Sequence, residues 1–367
     1  MKFLSWCRRN AMPVIAVLAA AVTACFVPPD RTYLGYYDVR TLSCLLCVLA
    51  VVCALRSVGL FPVLAQRLVH TFHTTRGVAI SLVLITLFGS MLLTNDTALL
   101  IFLPLGWFVL HAAHQEQLAA PVFILQNCAA NLGGMLTPFG NPQNLYLFNH
   151  YGIPNGEFVS IMLPPFLLST ALILLGCFLL IRQQPLTVPE QTAALDKKRT
   201  AVYLALFALA VAMVLRVVPY LIGSAVILLA LLVLDRKALL GVDWGLLVTF
   251  AAFFTFSGNM ARIEPVQTLF ARLLTHGAML VSALTSQIIS NVPAAILLSR
   301  FTDDYRGLLV GVNIGGAGTL VASLASLITF REYTKHVSGR TGSFLALFTA
   351  VSFALLAILL AAMSLIG

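Results

Sequence analysis

One acidic side chain stands in the middle of an apolar stretch of this sequence. Asp96 follows Thr94 and Asn95 and precedes Thr97, and long apolar runs flank these four residues. The other acidic residues lie in polar segments or near the ends of apolar runs. A carboxylate at such a position can carry a proton or, beside an amide oxygen, ligate Na⁺. We therefore expect Asp96 and Asn95 to bind a coupling ion. The alternative is that Asp96 only caps the start of a helix.

A second polar interruption has the same form but no charge. Ser290, Asn291 and Val292 stand at the centre of the apolar region 277–300, as the first interruption does in 78–110. Non-helical backbone at membrane depth is tolerated only where protein or a water-filled cavity satisfies its polar groups. We therefore interpret both regions as re-entrant hairpins, with Asn291 as a further candidate Na⁺ ligand. The alternative is a pair of ordinary helices joined by a loop outside the membrane.

Two other segments, 131–144 and 313–326, contain residues that break a helix inside an apolar run. Unwound backbone exposes carbonyl oxygens to Na⁺, and the amino ends of half-helices direct N–H groups at an anion. We interpret both as broken transmembrane helices, although the first can also be a polar loop at the outer surface. The candidate binding residues of the first segment are Gly133, Gly134, Thr137, Pro138, Gly140, Asn141 and Asn144. Those of the second are Gly315, Gly316, Thr319 and Ser323.

The composition identifies the solvent in which these segments must fold. Of the 367 residues, 60% are hydrophobic and 10% are charged, against about 25% charged in soluble domains. An all-α polytopic membrane protein in contact with the lipid bilayer is therefore predicted. The net charge of +9 is spread over short loops between apolar runs and forms no patch, which excludes nucleic acid as a partner. The first apolar run, 11–27, is expected to be a retained span.

Apolar runs long enough to cross a bilayer predict nine crossings besides the two hairpins. With the amino terminus in the cytoplasm, fifteen of the 22 Lys and Arg residues fall inside, as the positive-inside rule favours. The carboxyl terminus is then outside, and the expected location is a bacterial inner membrane. The predicted crossings are 11–27, 40–57, 119–148, 157–181, 200–217, 219–235, 243–258, 307–330 and 343–365.

The sequence also repeats itself. Asp38 recurs as Asp243 at a shift of 205 positions, Asn95 recurs as Asn291 at a shift of 196, and the Gly-Gly segments recur at a shift of 182. Five crossings separate the two copies, so the second is inverted, as in many secondary transporters. The predicted division is an amino-terminal helix (1–36), a first repeat (37–181), a linker with helices (182–241) and a second inverted repeat (242–367).

Four motifs together resemble the ion transporter superfamily, which includes arsenite permeases, citrate-type transporters and divalent anion/sodium symporters, and above all its small bacterial anion permeases. They are Thr-Asn-Asp-Thr-Ala-Leu-Leu (94–100), Gly-Asn-Pro-Gln-Asn (140–144), Val-Asp-Trp-Gly-Leu-Leu (242–247) and Ser-Asn-Val-Pro-Ala (290–294). The resemblance implies a homodimer with a scaffold and a mobile part that moves like an elevator. It also implies that Asn95 and Asn291 line sodium or substrate sites. In the divalent-anion branch the third tip residue is Thr, so Asp96 and Val292 depart from that pattern.

These observations leave several functions open. The first is a transporter of a small anion or organic acid coupled to Na⁺ or H⁺, with no resident cofactor. The alternatives are a Na⁺/H⁺ antiporter built on Asp96 and an arsenite efflux permease. An enzyme is not expected, because Asp96 has no paired base or nucleophile in the apolar runs. No Lys or Arg lies in a predicted tip or broken span, so an anion must be held by helix ends, amides, hydroxyls and bound cations.

Overall fold

A computed structural model describes residues 11–60, 63, 72–185 and 196–366 of the chain. These residues are nearly all helical, and they form no strand beyond one isolated bridge between Thr74 and Pro185. The prediction of an all-α polytopic membrane protein is therefore confirmed. In the first half of the chain the helices are α1 (Ala11–Phe26), α2 (Val39–Ser57), α3 (Thr75–Leu92), α4 (Asn95–Ala112), α5 (Ala119–Gly133), α6 (Pro142–His150) and α7 (Asn155–Leu180).

The second half begins with two helices between the predicted repeats and then repeats the order of the first. Asp38 and Asp243 start equivalent helices in the same way, since their Oδ1 atoms accept hydrogen bonds from the backbone N–H groups of Thr41 and Leu246. The helices are α8 (Lys197–Val214), α9 (Tyr220–Leu234), α10 (Arg236–Leu240), α11 (Trp244–Met260), α12 (Glu264–Leu274), α13 (Ala278–Ile289), α14 (Asn291–Leu298), α15 (Tyr305–Ile314), α16 (Leu324–His336) and α17 (Thr341–Ile366).

Both hairpins and both broken spans are present. Helices α3 and α4 meet at a junction where Thr94 and Asn95 are 2% and 4% exposed, so this junction is not a loop in solvent. Helices α13 and α14 meet at Ser290 and have 12 and 8 residues, which is too short for either to cross about 30 Å of hydrocarbon. The broken spans are α5 with α6 and α15 with α16. These breaks therefore lie inside the protein, as the hairpin and broken-span interpretations require.

Six of the described helices are long and apolar enough to cross a membrane as one piece, and α11 with α12 makes a further pair bent by 95°. The bend separates α12, which alternates polar and apolar residues along its length, from the crossing helix. The equivalent stretch of the first repeat, 61–75, lies mostly outside the described residues. The total of nine crossings and the positions of the termini remain predictions.

The helices pack as two groups. We call α1, α2 and α8–α11 the frame, because α2 packs against α8, α9 and α10 while α1 packs against α11. We call α3–α7 and α13–α17 the core bundle, in which each hairpin packs against the broken span of its own repeat. The two groups meet where α11 lies on α14 and where α2 lies on α6. This seam is the setting of the candidate site.

The two repeats use equivalent contacts to hold each hairpin on its broken span. The backbone N–H of Asn95 donates to the carbonyl of Gly140 (3.1 Å), and that of Asn291 donates to the carbonyl of Ala322 (2.9 Å). The hydroxyls of two equivalent threonines also donate to the carboxyl ends of the first hairpin helices: Thr137 to Met91 (2.8 Å) and Thr319 to Gln287 (2.9 Å). The pairs keep the shifts of 182 and 196 found in the sequence, so the repeat extends to single hydrogen bonds.

Candidate functional site

A cavity of about 290 Å³ lies on the seam between the frame and the core bundle. Its frame side is made by the first turns of α1 and α11 and includes Asp243 and Thr249. Its core side is made by both hairpin tips, by the break of each broken span and by Arg331 of α16. Two repeats that are far apart in sequence therefore contribute to one space.

Four helices of the core bundle begin at this cavity. Their first residues, Asn95 of α4, Pro142 of α6, Asn291 of α14 and Leu324 of α16, all line it. The amino end of a helix carries unpaired N–H groups and a partial positive charge of roughly half a unit. Convergent amino ends are suited to an anion even where the nearby side chains are neutral.

The first tip places a carboxylate oxygen at the cavity with nothing to satisfy it. Thr94 is the residue that caps α4, since its hydroxyl accepts from the backbone N–H of Thr97 at 3.4 Å and shares a hydrogen bond with the Thr97 hydroxyl. Asp96 is therefore not the cap, and that alternative is wrong. The Asp96 Oδ1 atom is buried and has no hydrogen-bond partner among the described residues.

Two more residues that line the cavity have an acceptor oxygen without a hydrogen-bond partner. The Oδ1 of Asn95 and the Oε1 of Gln143 are buried and have no partner within the described chain. With the Asp96 carboxylate they make three acceptor oxygens on residues that line one cavity. Oxygen atoms from amides and carboxylates are the ligands that hard cations prefer. The described residues contain no His, Cys, Asp and Glu group of the kind that holds a transition metal.

The second tip is strained and carries no charge. Ser290 has φ of +77° and ψ of 154°, a region that residues other than glycine rarely adopt. Its hydroxyl donates to the carbonyl of Ala322 at 3.3 Å, and the Oδ1 of Asn291 accepts from the N–H of Val292 at 2.9 Å. Val292 presents an apolar side chain to the cavity where the first tip presents Asp96.

An amide network joins the two broken spans behind the cavity. The Oδ1 of Asn131 accepts from Asn95 Nδ2 (3.0 Å) and from Ser323 Oγ (2.8 Å). Its repeat partner Asn313 accepts on Oδ1 from Asn141 (3.1 Å), and it donates to Asn144. The two broken spans are therefore held to each other, and the first tip joins them through Asn95, which explains why the polar residues of both spans are buried together.

The glycines of the broken spans make these approaches possible. A Cβ on Gly134 would meet the side chain of Asn141, and one on Gly140 would meet the carbonyl of Gly134. Gly316 faces the amide nitrogen of Asn291, 3.0 Å from an ideal Cβ. Backbone and amide atoms therefore come together where any side chain would separate them.

The structure divides the predicted site residues into two sets. Those that line the cavity are Asn95, Asp96, Ser290, Asn291 and Val292. Those that build the hairpin junctions, the broken spans and their network without lining it are Thr94, Thr97, Gly133, Gly134, Thr137, Pro138, Gly140, Asn141, Asn144, Gly315, Gly316, Thr319 and Ser323.

Gln143, Asp243 and Arg331 are among the lining residues that were not predicted. Gln143 lies inside the Gly-Asn-Pro-Gln-Asn motif, and Asp243 was matched to Asp38 in the repeat, so both had a signal in the sequence. Arg331 had none, because it lies one position beyond the predicted span 307–330. The expectation that an anion is held only by helix ends, amides, hydroxyls and bound cations did not allow for Arg331, which lines the cavity and makes no ion pair within the described part of the chain.

Buried helix breaks, paired hairpins and a central cavity with unsatisfied oxygens define a membrane protein of the secondary-transporter class. A sequence profile of the citrate transporter family matches residues 3–303, and the chain belongs to this family, within the ion transporter superfamily. It is 35% identical over 272 residues to an uncharacterized transporter of Methanocaldococcus jannaschii and 31% identical over 278 residues to the inner membrane protein YbiR of Escherichia coli. Each match covers 74% of both chains.

A more distant match is the silicon efflux transporter LSI3 of Oryza sativa, 32% identical over 135 residues. That alignment covers 36% of this chain and 27% of the rice protein. The family and the names of these relatives indicate a membrane transporter.

Proposed function

We propose that this protein is a secondary active transporter that moves a small anion or organic acid, of the dicarboxylate or citrate kind, across the inner membrane together with Na⁺ or H⁺. The observation that carries the proposal is the convergence of four helix amino ends on one cavity at the seam. Amino ends favour negative charge in the site. The family description, citrate transporter, agrees with a carboxylate substrate.

The charges of the cavity give a physical reason for coupling. Its lining residues include two carboxylates, Asp96 and Asp243, and one guanidinium, Arg331. An anion that enters this space meets the Asp96 carboxylate beside the helix ends, and two like charges a few ångströms apart repel strongly in a poorly solvated site. A cation or proton at Asp96 removes this repulsion. Substrate and coupling ion then bind best together, which is the thermodynamic requirement for symport.

The roles divide between the two tips. We assign the coupling ion to Asn95, Asp96 and Gln143, which line the cavity and each have a free oxygen, and we assign the anion to Ser290, Asn291 and the amino ends of α6 and α16. The position of the cavity on the seam suits an elevator-like movement, in which the core bundle carries the site past the frame. A homodimer would give the frame a fixed partner, and its mass in detergent can be measured by light scattering.

Thermal unfolding of the purified protein tests the proposal directly. A ligand that binds only the folded state raises the melting temperature with the logarithm of its saturation. We expect one of the candidate di- or tricarboxylates to raise it when Na⁺ is present, or at low pH, and to have little effect in choline at high pH. Sulfate and uncharged acids serve as comparison ligands. If no anion changes the melting temperature under any condition, the anion proposal fails.

A Na⁺/H⁺ antiporter is the second candidate, because the three free oxygens at the first tip would suit a cation alone. It predicts that Na⁺ and pH shift the melting temperature while no anion does. Efflux of an uncharged oxyacid such as arsenite is the third candidate function. The partial similarity to a silicon efflux transporter supports it. That reading predicts stabilisation by the neutral acid with no dependence on Na⁺.

A further inference from the structure

A second cavity, of about 280 Å³, lies elsewhere on the same seam. Its lining includes Tyr36 and Asp38 of the frame, and Tyr146, Asn149 and Arg300 of the core bundle. None of the hairpin-tip residues lines it. The transport proposal does not use this cavity, and its composition is unlike that of a lipid-filled crevice, because two of its residues are charged.

The internal repeat shows what the second cavity is equivalent to. Asp38 corresponds to Asp243 at the shift of 205, and Asn149 corresponds to Arg331 at the shift of 182. Asp243 and Arg331 both line the first cavity, while Asp38 and Asn149 both line the second. In each case the space lies between the start of a frame helix and the second half of a broken span. The two cavities are therefore related by the repeat.

The two cavities differ in how far they reach. The first extends to Asn95 and Asn291 at the tips. The second is blocked by Tyr146, whose side chain is 1% exposed and packs against Phe254 of the frame. The hydroxyl of Tyr146 also shares a hydrogen bond of 2.7 Å with Ser299. Only the first of these two equivalent cavities reaches the hairpin tips.

Polar side chains hold the frame to the core bundle at the closed entrance. Arg300 Nη2 donates to the carbonyl of Tyr36 at 3.0 Å, and Asn149 Nδ2 donates to the hydroxyl of Thr41 at 3.1 Å. At the open cavity no side-chain hydrogen bond joins frame and core among the described residues that line it. The asymmetry is what a transporter held at one end of its movement requires.

We propose that the cavity around Arg300 is the second vestibule of the transport path, and that the contacts of Arg300 and Asn149 across the seam keep it closed in this conformation. An arriving anion meets the Arg300 guanidinium there, as it meets Arg331 at the other entrance. When the core bundle moves, these contacts break, the Tyr146 block leaves Phe254, and the site becomes accessible from the second side. This inference rests on the proposed transport function.

Two cysteine reporters test it without any substrate. Val321→Cys lies in the open cavity, where the valine is 48% exposed, and Ser299→Cys lies behind Tyr146, where the serine is 6% exposed. Peptide mass spectrometry reads the labelling of each position by a bulky hydrophilic thiol reagent, so the native cysteines can stay. Arg300→Ala is expected to raise labelling at 299 by about fivefold and to lower it at 321 by about twofold, since a lost charged hydrogen bond shifts such an equilibrium by about one order of magnitude.

Arg262→Ala is the matched control. Arg262 also contacts Tyr36, through its hydroxyl at 3.2 Å, but its other partners, Asp30 and Thr32, are on the frame side of the seam. The hydrogen bond from this guanidinium lowers the pKa of Asp30 to about 2, so the control ion pair stays charged at neutral pH. This variant should leave both reporters unchanged.

Asn149→Ala, which breaks a different contact, should change both reporters in the same directions as Arg300→Ala. The inference is overturned if Arg300→Ala changes neither reporter, if both labelling rates rise together as in general loosening, or if Arg262→Ala has the same effect. Because the assay contains no anion, a correct vestibule with a wrong substrate class gives the expected labelling and fails only in the melting experiment.

Discussion

The two hairpin tips have the same architecture and different chemistry. In each, the residue after the tip donates its backbone N–H to the broken span of its own repeat, Asn95 to Gly140 and Asn291 to Ala322. The residue that follows differs: the first tip has Asp96 and the second has Val292. The two repeats therefore share the backbone hydrogen bonds that hold each tip, while a single side chain makes one tip anionic.

This difference suggests how one cavity serves two solutes. The backbone of both tips supplies helix amino ends, which favour an anion wherever they are found. The carboxylate on only one tip supplies a place where a cation must sit before the anion is accepted. A symmetric site with a carboxylate on both tips would repel the anion more strongly. A site with no carboxylate would bind the anion without the coupling ion.

The largest expected effect comes from removing this asymmetry. Asp96→Asn keeps the shape of the side chain but removes its charge, so transport should lose its dependence on Na⁺ and pH or fall by about 100-fold or more. Val292→Asn is the matched change at the second tip, and it should leave ion dependence intact. Uptake into proteoliposomes with and without the ion gradient measures both.

The melting temperature of each variant shows whether the protein is still folded. Wild-type coupling stoichiometry in Asp96→Asn would remove Asp96 from the mechanism. Moving the carboxylate, with Asp96→Val and Val292→Asp together, sharpens the comparison further. If a carboxylate on either tip is sufficient, ion dependence returns in this double variant. If the free oxygens of Asn95 and Gln143 are needed beside it, ion dependence stays absent.

The sequence predicted the positions of the helices closely, because lipid imposes a simple rule. Apolar runs must be helical and polar interruptions must be buried in protein, so the predicted hairpin 277–300 became α13 and α14, and the Gly-Gly segments became the two breaks. Five of the candidate residues line the cavity. Their roles as ligands, and the division of the chain into domains, stay predictions.

What the sequence did not predict depends on tertiary packing. Arg331 looked like an ordinary loop cation at the end of a span, yet α16 continues to His336 and brings it to the cavity. Asp243 was only a matched position of the repeat; it caps α11, and the seam also places it at the cavity with Asp96. In the second cavity only Asp38 had a signal in the sequence, as a matched position of the repeat, and the pairing of frame and core bundle brings it near Arg300.

A smaller effect, on stability, is expected at the glycines that let each hairpin pack closely against its broken span. A Cβ on Gly133 would lie 2.7 Å from the carbonyl of Leu87, and one on Gly315 would lie 2.8 Å from the Cα of Ala283. These are equivalent positions of the two repeats. Either glycine changed to Ala should lower the stability by about 1–3 kcal/mol through overpacking, measured as a lower melting temperature.

Gly156→Ala is the control for these two variants, because no atom lies within 4 Å of an added Cβ there. It should be neutral or slightly stabilising, since Ala favours a helix over Gly by about 1 kcal/mol. Unequal losses at Gly133 and Gly315 would show that one hairpin can shift more easily than the other. An equal and negligible loss at both would contradict the close packing of hairpin and broken span.

The smallest expected effect is a change in stability that depends on the backbone conformation of each tip. Thr94 has φ of −71° and caps α4, so Thr94→Gly loses the cap and adds backbone freedom to the unfolded chain. Ser290 has φ of +77°, where glycine is favoured, so Ser290→Gly relieves strain of about 1–3 kcal/mol while losing the hydrogen bond to Ala322. We expect Thr94→Gly to destabilise by about 1 kcal/mol and Ser290→Gly to be neutral or stabilising. The two melting temperatures, measured side by side without ligand, give the sign of the difference. If Ser290→Gly is the more harmful change, the serine hydroxyl matters more than the strain, and the second tip is held by its side chain as firmly as the first.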